Sequence, residues 1–350
     1  MSAEPESKTK EHFGNPLIEQ RNLANGSAVV DLGPRGIITV SGPDRLAWLH
    51  SLLSQNLKNL LPGDSAEALL LDPNGHIEQV IHFLDDGESS WLVVEESGRE
   101  SLLAWLNKMV FRMRVVLSDE SDTYSVVGRM GEGVLQAHNS NGIALVWSDP
   151  WPGVVTGGVR YSMARPAKWT WTESLVETAK LQSVLAEYEQ AGTMAYDALR
   201  IVAHRPRQST EVDVKALPHE FDWMSTAVHM SKGCYRGQET IAKVHNLGHP
   251  PRRLTFLHLD GSGHFLPDAG DDVFVVGEDK PRGKITVAAT HFESGPVALA
   301  LLSRGVPEDA ALVVRSSGGD IDASQEVIVP ASAGKAANIP KRNLLMGGKH

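Results

Sequence analysis

Residues Lys232 to Glu239 read K-G-C-Y-R-G-Q-E, and Cys234 is the only cysteine in 350 residues. In an extended segment alternate residues share a face, so Lys232, Cys234 and Arg236 are expected to point the same way. Two cations beside a thiol favour the thiolate and lower its pKa, which makes a nucleophile or a metal ligand. Gly233 and Gly237 permit positive φ or close approach of a ligand to the backbone. The competing reading is a half-exposed cysteine in a basic turn with no role. A second constellation is acidic. Between Arg200 and Trp223 lie Glu211, Asp213, Glu220 and Asp222, with two prolines and little periodicity. A carboxylate held in a pocket can pair with an N–H and an amino group on one edge of a pterin or guanine-like ring. The plainer alternative is a solvated acidic loop.

Other candidates are weaker. His76 and His82 fall on one strand face but too far apart to share a metal. His245 and His249 have i, i+4 spacing, but Gly248 and Pro250 argue against a helix there. Gly261-Ser262-Gly263 reads as a hairpin turn, since no Lys-Ser/Thr follows it. The eight tryptophans are expected to be packing residues.

The elements that must position these groups follow from apolar periodicity. Residues 36–41 read as a buried strand, and Leu46, Leu49, Leu53, Leu57 and Leu60 form a helical stripe. Pro73-Asn74-Gly75 between two apolar runs marks a hairpin. Residues 91–96 suit a strand and Glu100 to Val110 a helix. Helices are expected at 173–190 and at about 194–203. After residue 250, short apolar runs alternate with glycine-rich turns, the texture of an all-β domain. The expected division is a mobile segment over 1–24, a mixed region over 25–250 in two lobes, a β-barrel over 251–330 and a disordered tail over 331–350. The class is α+β with mainly antiparallel sheets.

The totals narrow the function. A net charge of -10 argues against a general nucleic-acid surface. One cysteine excludes an intramolecular disulfide and a multi-thiolate zinc site, and no metal ligand set is read. The polar N-terminus has no apolar core of a signal peptide, and no apolar run approaches the ~18 residues of a membrane span. The chain reads as cytoplasmic, with no membrane partner.

The octet resembles the signature of the YgfZ-type tetrahydrofolate-binding proteins, relatives of the glycine-cleavage T-protein, an aminomethyltransferase. The resemblance runs over roughly residues 28–318. V-S-G-P-D-R-L-A-W-L-H is similar to the family's opening helix, L-L-D-P-N-G-H-I to its hairpin, and Y-D-A-L-R-I-V-A-H-R-P-R to the helix ahead of the signature. The resemblance implies a three-lobed α+β fold around a folate-sized cavity, with a C-terminal β-barrel. It also implies tetrahydrofolate or a derivative as cofactor and a role in assembly or repair of iron–sulfur clusters, including those of tRNA-modifying enzymes. Partners would be assembly or client proteins, with no direct nucleic-acid contact. Cys234, Lys232 and Arg236 would carry the chemistry, and Gly237, Gln238, Glu239, Tyr235, Arg200, Glu78 and Glu220 would hold the cofactor. T-proteins read Leu-Arg-x-Glu-Ala-Gly where this chain has Val202 and His204, so Glu220 or another carboxylate of 211–222 is expected to replace the glutamate missing at Val202. Their catalytic aspartate falls at or beside Glu78 and Gln79. Folate-dependent aminomethyl or one-carbon transfer is the alternative activity.

Overall fold

The computed structural model describes residues 9–131, 135–162 and 169–336. Two five-stranded sheets, a closed six-stranded barrel and a two-stranded ribbon, Asn139–Ser140 with Ile143–Ala144, build the described residues. The first sheet is antiparallel, in the order Ser65–Leu71, Ile77–Asp85, Ser89–Glu95, Arg35–Ser41, Val116–Asp119. Its strands are apolar on both faces because both faces are covered. Ile38, Val40, Ala68, Leu70, Ile81, Phe83, Leu92 and Val94 pack under the helices Arg45–Leu52 and Arg99–Met109. The alternate residues Ile37, Leu69, Leu71, Trp91 and Val93 face a core shared with the rest of the molecule, as the two-residue period of a strand requires.

The second sheet runs Val146–Ser148, Trp171–Glu177, Tyr124–Met130, Ala28–Asp31, Glu189–Gln190, parallel only at its last pair. The helix expected over 173–190 is therefore a strand followed by a helix of five residues, Leu181–Leu185. Trp171, Glu173 and Leu175 are all buried and share a strand face, and seven residue pairs with Tyr124–Met130 outweigh the helical spacing of a few apolar residues. The helix Thr193–Val202 packs between this sheet and the barrel.

The barrel closes in the order Arg252–Leu259, Gly295–Ser303, Gly283–His291, Asp272–Val275, Leu312–Ser316, Gly319–Val327, its last strand returning to its first. This is an α+β fold with mainly antiparallel sheets and a C-terminal barrel. Both termini depart from expectation where they are described. Pro16–Ala24 is a helix, N-capped by Asn15 and with Leu23 buried. Gln20 on that helix donates to the Thr290 carbonyl and accepts from the Phe292 amide, tying the segment to the barrel. At the other end Ala333 is buried, its carbonyl 2.7 Å from His249 Nδ1. The remainder of the expected tail, 337–350, lies outside the described residues, as do residues 1–8. Among the described residues no helix is long and apolar enough to cross a membrane.

Candidate functional site

The octet is a turn that runs into a helix, Gln238–Leu247. That helix includes His245 and ends before His249, so the pair shares no helix. Gly237 opens it at φ +82, and a Cβ there would stand 2.7 Å from the Asp72 carbonyl oxygen and 2.9 Å from the Gly75 Cα. The Asp72–Gly75 hairpin tip and the octet thus meet backbone to backbone, which only glycine allows. Gly233 has no such reason: a Cβ there would meet nothing within 4 Å.

The expected common face of Lys232, Cys234 and Arg236 does not form, because the segment turns. Lys232 points inward. Its ammonium donates to the carbonyls of His50, Leu53 and Gln55, the last two at 2.5 and 2.9 Å, where the helix Arg45–Leu52 ends. Burial pulls its pKa down to about 8. Its nitrogen also lies 5.1 Å from the ring centre of Tyr235, whose phenol burial pushes well above the usual range. Arg236 points to the hairpin, bridging Glu78 with bonds of 2.7 and 3.2 Å, its guanidinium 5.6 Å from the Trp105 ring centre. Cys234 is exposed. Gln238 reaches back to the Lys232 carbonyl at 3.4 Å, while Glu239 is exposed.

Glu78 and Trp105 belong to the wall of an open cleft of about 780 Å³, with Leu70, Gln79, Gln208 and Asp213. The octet meets the wall of this cleft through Arg236 on Glu78 and Gly237 against Asp72, and Cys234 lies two residues before Arg236 on the same turn. Glu220 and Arg200 do not line it. Glu220 is fully buried, accepts two bonds from Arg252 at 2.9 and 2.8 Å, and accepts from the Leu217 amide. Arg200 is buried on Asp197 at 2.6 Å and Glu211 at 3.1 Å. Both are structural pairs at the base of the barrel and the 197–211 segment. Val202 lines a different pocket of about 160 Å³, and the carboxylate on that wall is Glu293 of the barrel rather than Glu220.

Sequence reasoning missed a buried charge cluster where the two sheets meet. Arg205 donates to Glu67 at 2.6 Å and to Asp149 at 2.9 Å. His82 lies 2.7 Å from Glu173 and stacks on Trp147 at 3.7 Å. The tryptophans are more than packing: Trp223 donates to Glu67, Trp169 to Asp149 and Trp171 to Glu173. Burial alone would raise every one of these acids. It does raise Asp149, while Arg205, His82 and the Thr226 hydroxyl together hold Glu67 below its ordinary value. Burial likewise works against Glu173, but His82, Arg35 and the Trp171 N–H together outweigh it and bring the acid to about 2. The cavity inside the cluster has about 30 Å³ of free space, room for a water molecule and not for a ring. Two buried donors of residues that line it, Arg205 Nη1 and Arg35 Nε, have no partner among the described residues. A signal was present in the sequence: Glu67 interrupts the apolar run A-E-A-L-L-L.

No protein-family model matches the chain. A protein of Arabidopsis thaliana named as a chloroplastic transferase is 27% identical over 79% of this chain, and the chain spans only 65% of its length. A mitochondrial homolog of the iron-sulfur cluster assembly factor IBA57 from Mycosarcoma maydis is 27% identical over 68% of this chain and 59% of its own length. The tRNA-modifying protein YgfZ of Pectobacterium carotovorum is 23% identical over 90% of this chain and 94% of its own. Among solved structures, the glycine cleavage system aminomethyltransferase T of Bartonella henselae superposes with a TM-score of 0.70 over 91% of this chain and 89% of its own, at 17% identity. The fold is therefore the T-protein fold. The chain is also similar, over most of its length, to curated proteins named YgfZ.

Proposed function

We propose that this protein binds a reduced folate and supports the assembly or repair of iron–sulfur clusters, with Cys234 as the reacting or ligating thiol. One observation carries the reading: the sole cysteine stands exposed on a turn pinned to the rim of a cleft of about 780 Å³. Relatives named for iron–sulfur cluster assembly and tRNA modification support the same direction. The cleft fits a folate in size and chemistry. Trp105, Leu70 and Leu102 give apolar wall for a flat ring, and Gln79, Gln208 and Ser101 form a neutral hydrogen-bonded row along it, Gln208 donating to Gln79 and Gln79 to Ser101. The central cavity is too small for this ligand.

In this reading a bound reduced folate supplies a one-carbon or redox-active pterin, and the chain's own residues do the rest. Trp105 stacks, Gln79 and Gln208 orient, and Arg236 holds Glu78 at the rim. Iron–sulfur clusters commonly take four ligands, so a single thiol contributes one and a partner protein, a small thiol or a second copy contributes the others. Simple aminomethyl transfer is less well supported. Its carboxylate would be Glu78, which is already bound by both arms of Arg236.

Two measurements test this. Reduced folates titrated into the protein should quench tryptophan fluorescence saturably, and Trp105→Phe should remove most of that signal. In cells lacking the protein, the wild type should restore activity of cluster-containing enzymes under oxidative stress and Cys234→Ser should not. Full rescue by Cys234→Ser would sink the thiol's role, and no saturable binding would remove the folate.

A further inference from the structure

We propose that Lys232 is a latch that holds the Cys234 turn in place, a positioning residue that touches no substrate. The inference rests on the reading of Cys234 as the reacting thiol, but its geometry stands apart from it. The lysine reaches from the octet to three backbone carbonyls, of His50, Leu53 and Gln55. Those carbonyls come from the end of the helix Arg45–Leu52 and the loop after it, where the chain leaves groups without intrahelical partners. A cation is suited to that position, since the C-terminal end of a helix carries partial negative charge.

The surroundings exclude the alternative roles. The Lys232 residue is 8% exposed, so its ammonium is not offered to a ligand in solvent. The charged neighbours are cations: His50 is held below its ordinary value first by burial, then by Lys232, Lys58 and His229. Among the described residues no carboxylate bonds the ammonium, and its acceptors are the three carbonyls. Three carbonyl acceptors match the three donors of an ammonium on its rotatable stem, which the fixed planar fork of a guanidinium does not reproduce. From there the chain needs only two residues to reach Cys234, with Gly237 fixed on the hairpin beyond it. The turn bearing the thiol is thus tied at both ends.

The test uses purified full-length wild type, Lys232→Met and Lys232→Arg. Backbone amide exchange of residues 231–236 is followed by mass spectrometry, and alkylation of Cys234 by iodoacetamide is followed against pH. A latch predicts exchange at least tenfold faster in both variants, with the pH midpoint of alkylation unmoved. Unchanged exchange in both variants overturns the proposal. So does a midpoint that rises in Lys232→Met and returns in Lys232→Arg, because that is the mark of a charge acting on the thiol. Should either variant fail to fold, the wild type still decides. A Lys232 ammonium resonance exchanging with water at least tenfold more slowly than exposed lysines supports the latch, and one exchanging as fast refutes it. Neither readout involves folate or a cluster, so failure of the latch and failure of the proposed function are separable.

Discussion

Replacing Arg205 by Met tests whether the charge cluster holds the two sheets together. Met keeps much of the volume and removes the guanidinium that bridges Glu67 and Asp149, both fully or nearly fully buried. Both acids keep neutral donors: Trp223 and Thr226 on Glu67, Trp169 and the Trp151 amide on Asp149. The loss is therefore one of charge compensation. Breaking a buried pair by removing one partner costs ~3–5 kcal/mol. With an unfolding entropy near 2.1 cal/mol/K per residue, a chain of 350 residues has about 0.7 kcal/mol/K in total, so the melting temperature should fall by about 4–7 °C. The pH dependence identifies the cause. Without Arg205 the folded-state pKa of both acids lies above their unfolded value. Stability is then complete below the unfolded pKa and lost as pH rises through the folded one. The deficit against wild type should be small at pH 5 and large at pH 8, measured by scanning calorimetry. A fall of less than ~1 °C at pH 8, or an equal fall at both pH values, would refute the reasoning.

Three further outcomes are expected. Gly237→Ala places a Cβ 2.7 Å from the Asp72 carbonyl at φ +82 and should cost ~1–3 kcal/mol, read from urea denaturation. Cys234→Ser should move the melting temperature by less than ~1 °C, because the residue is exposed; a larger loss would make it a packing residue. His219 is a buried neutral ring that burial draws down to about 4 from 6.5. Its contribution is complete above pH 6.5 and is lost as pH falls toward 4, a gap worth roughly 3 kcal/mol. His219→Gln should flatten the wild-type loss of urea stability between pH 6.5 and 4.

What was legible in the sequence was local. The strands at 36–41 and 91–96, the Pro73-Asn74-Gly75 hairpin and the helix at about 194–203 follow from periodicity and turn chemistry, and the structure contains each of them within a residue or two. The alternation of Lys232, Cys234 and Arg236 misled, because a period-2 argument presumes an extended backbone and these residues turn. The acids of 211–222 misled for a related reason. Composition shows that carboxylates are present, but not that Arg252 and Arg200, near or far in sequence, have already taken Glu220 and Glu211. The charge cluster draws on positions 67, 82, 149, 173 and 205, and no local window contains it.

That contrast bears on function. The carboxylates a transferase would need are drawn into pairs: Glu78 by Arg236, Glu220 and Asp213 by Arg252, Glu211 by Arg200. Each pairing spends an acid on architecture. The octet does the opposite. Its lysine and its helix start are committed to backbone and its arginine to Glu78, while the thiol is left facing solvent. Paired acids and one exposed cysteine on a turn tied to the wall of a ring-sized cleft support the thiol role proposed above. With Glu78 already held by Arg236, the arrangement supports the proposed cluster-maintenance role over aminomethyl transfer.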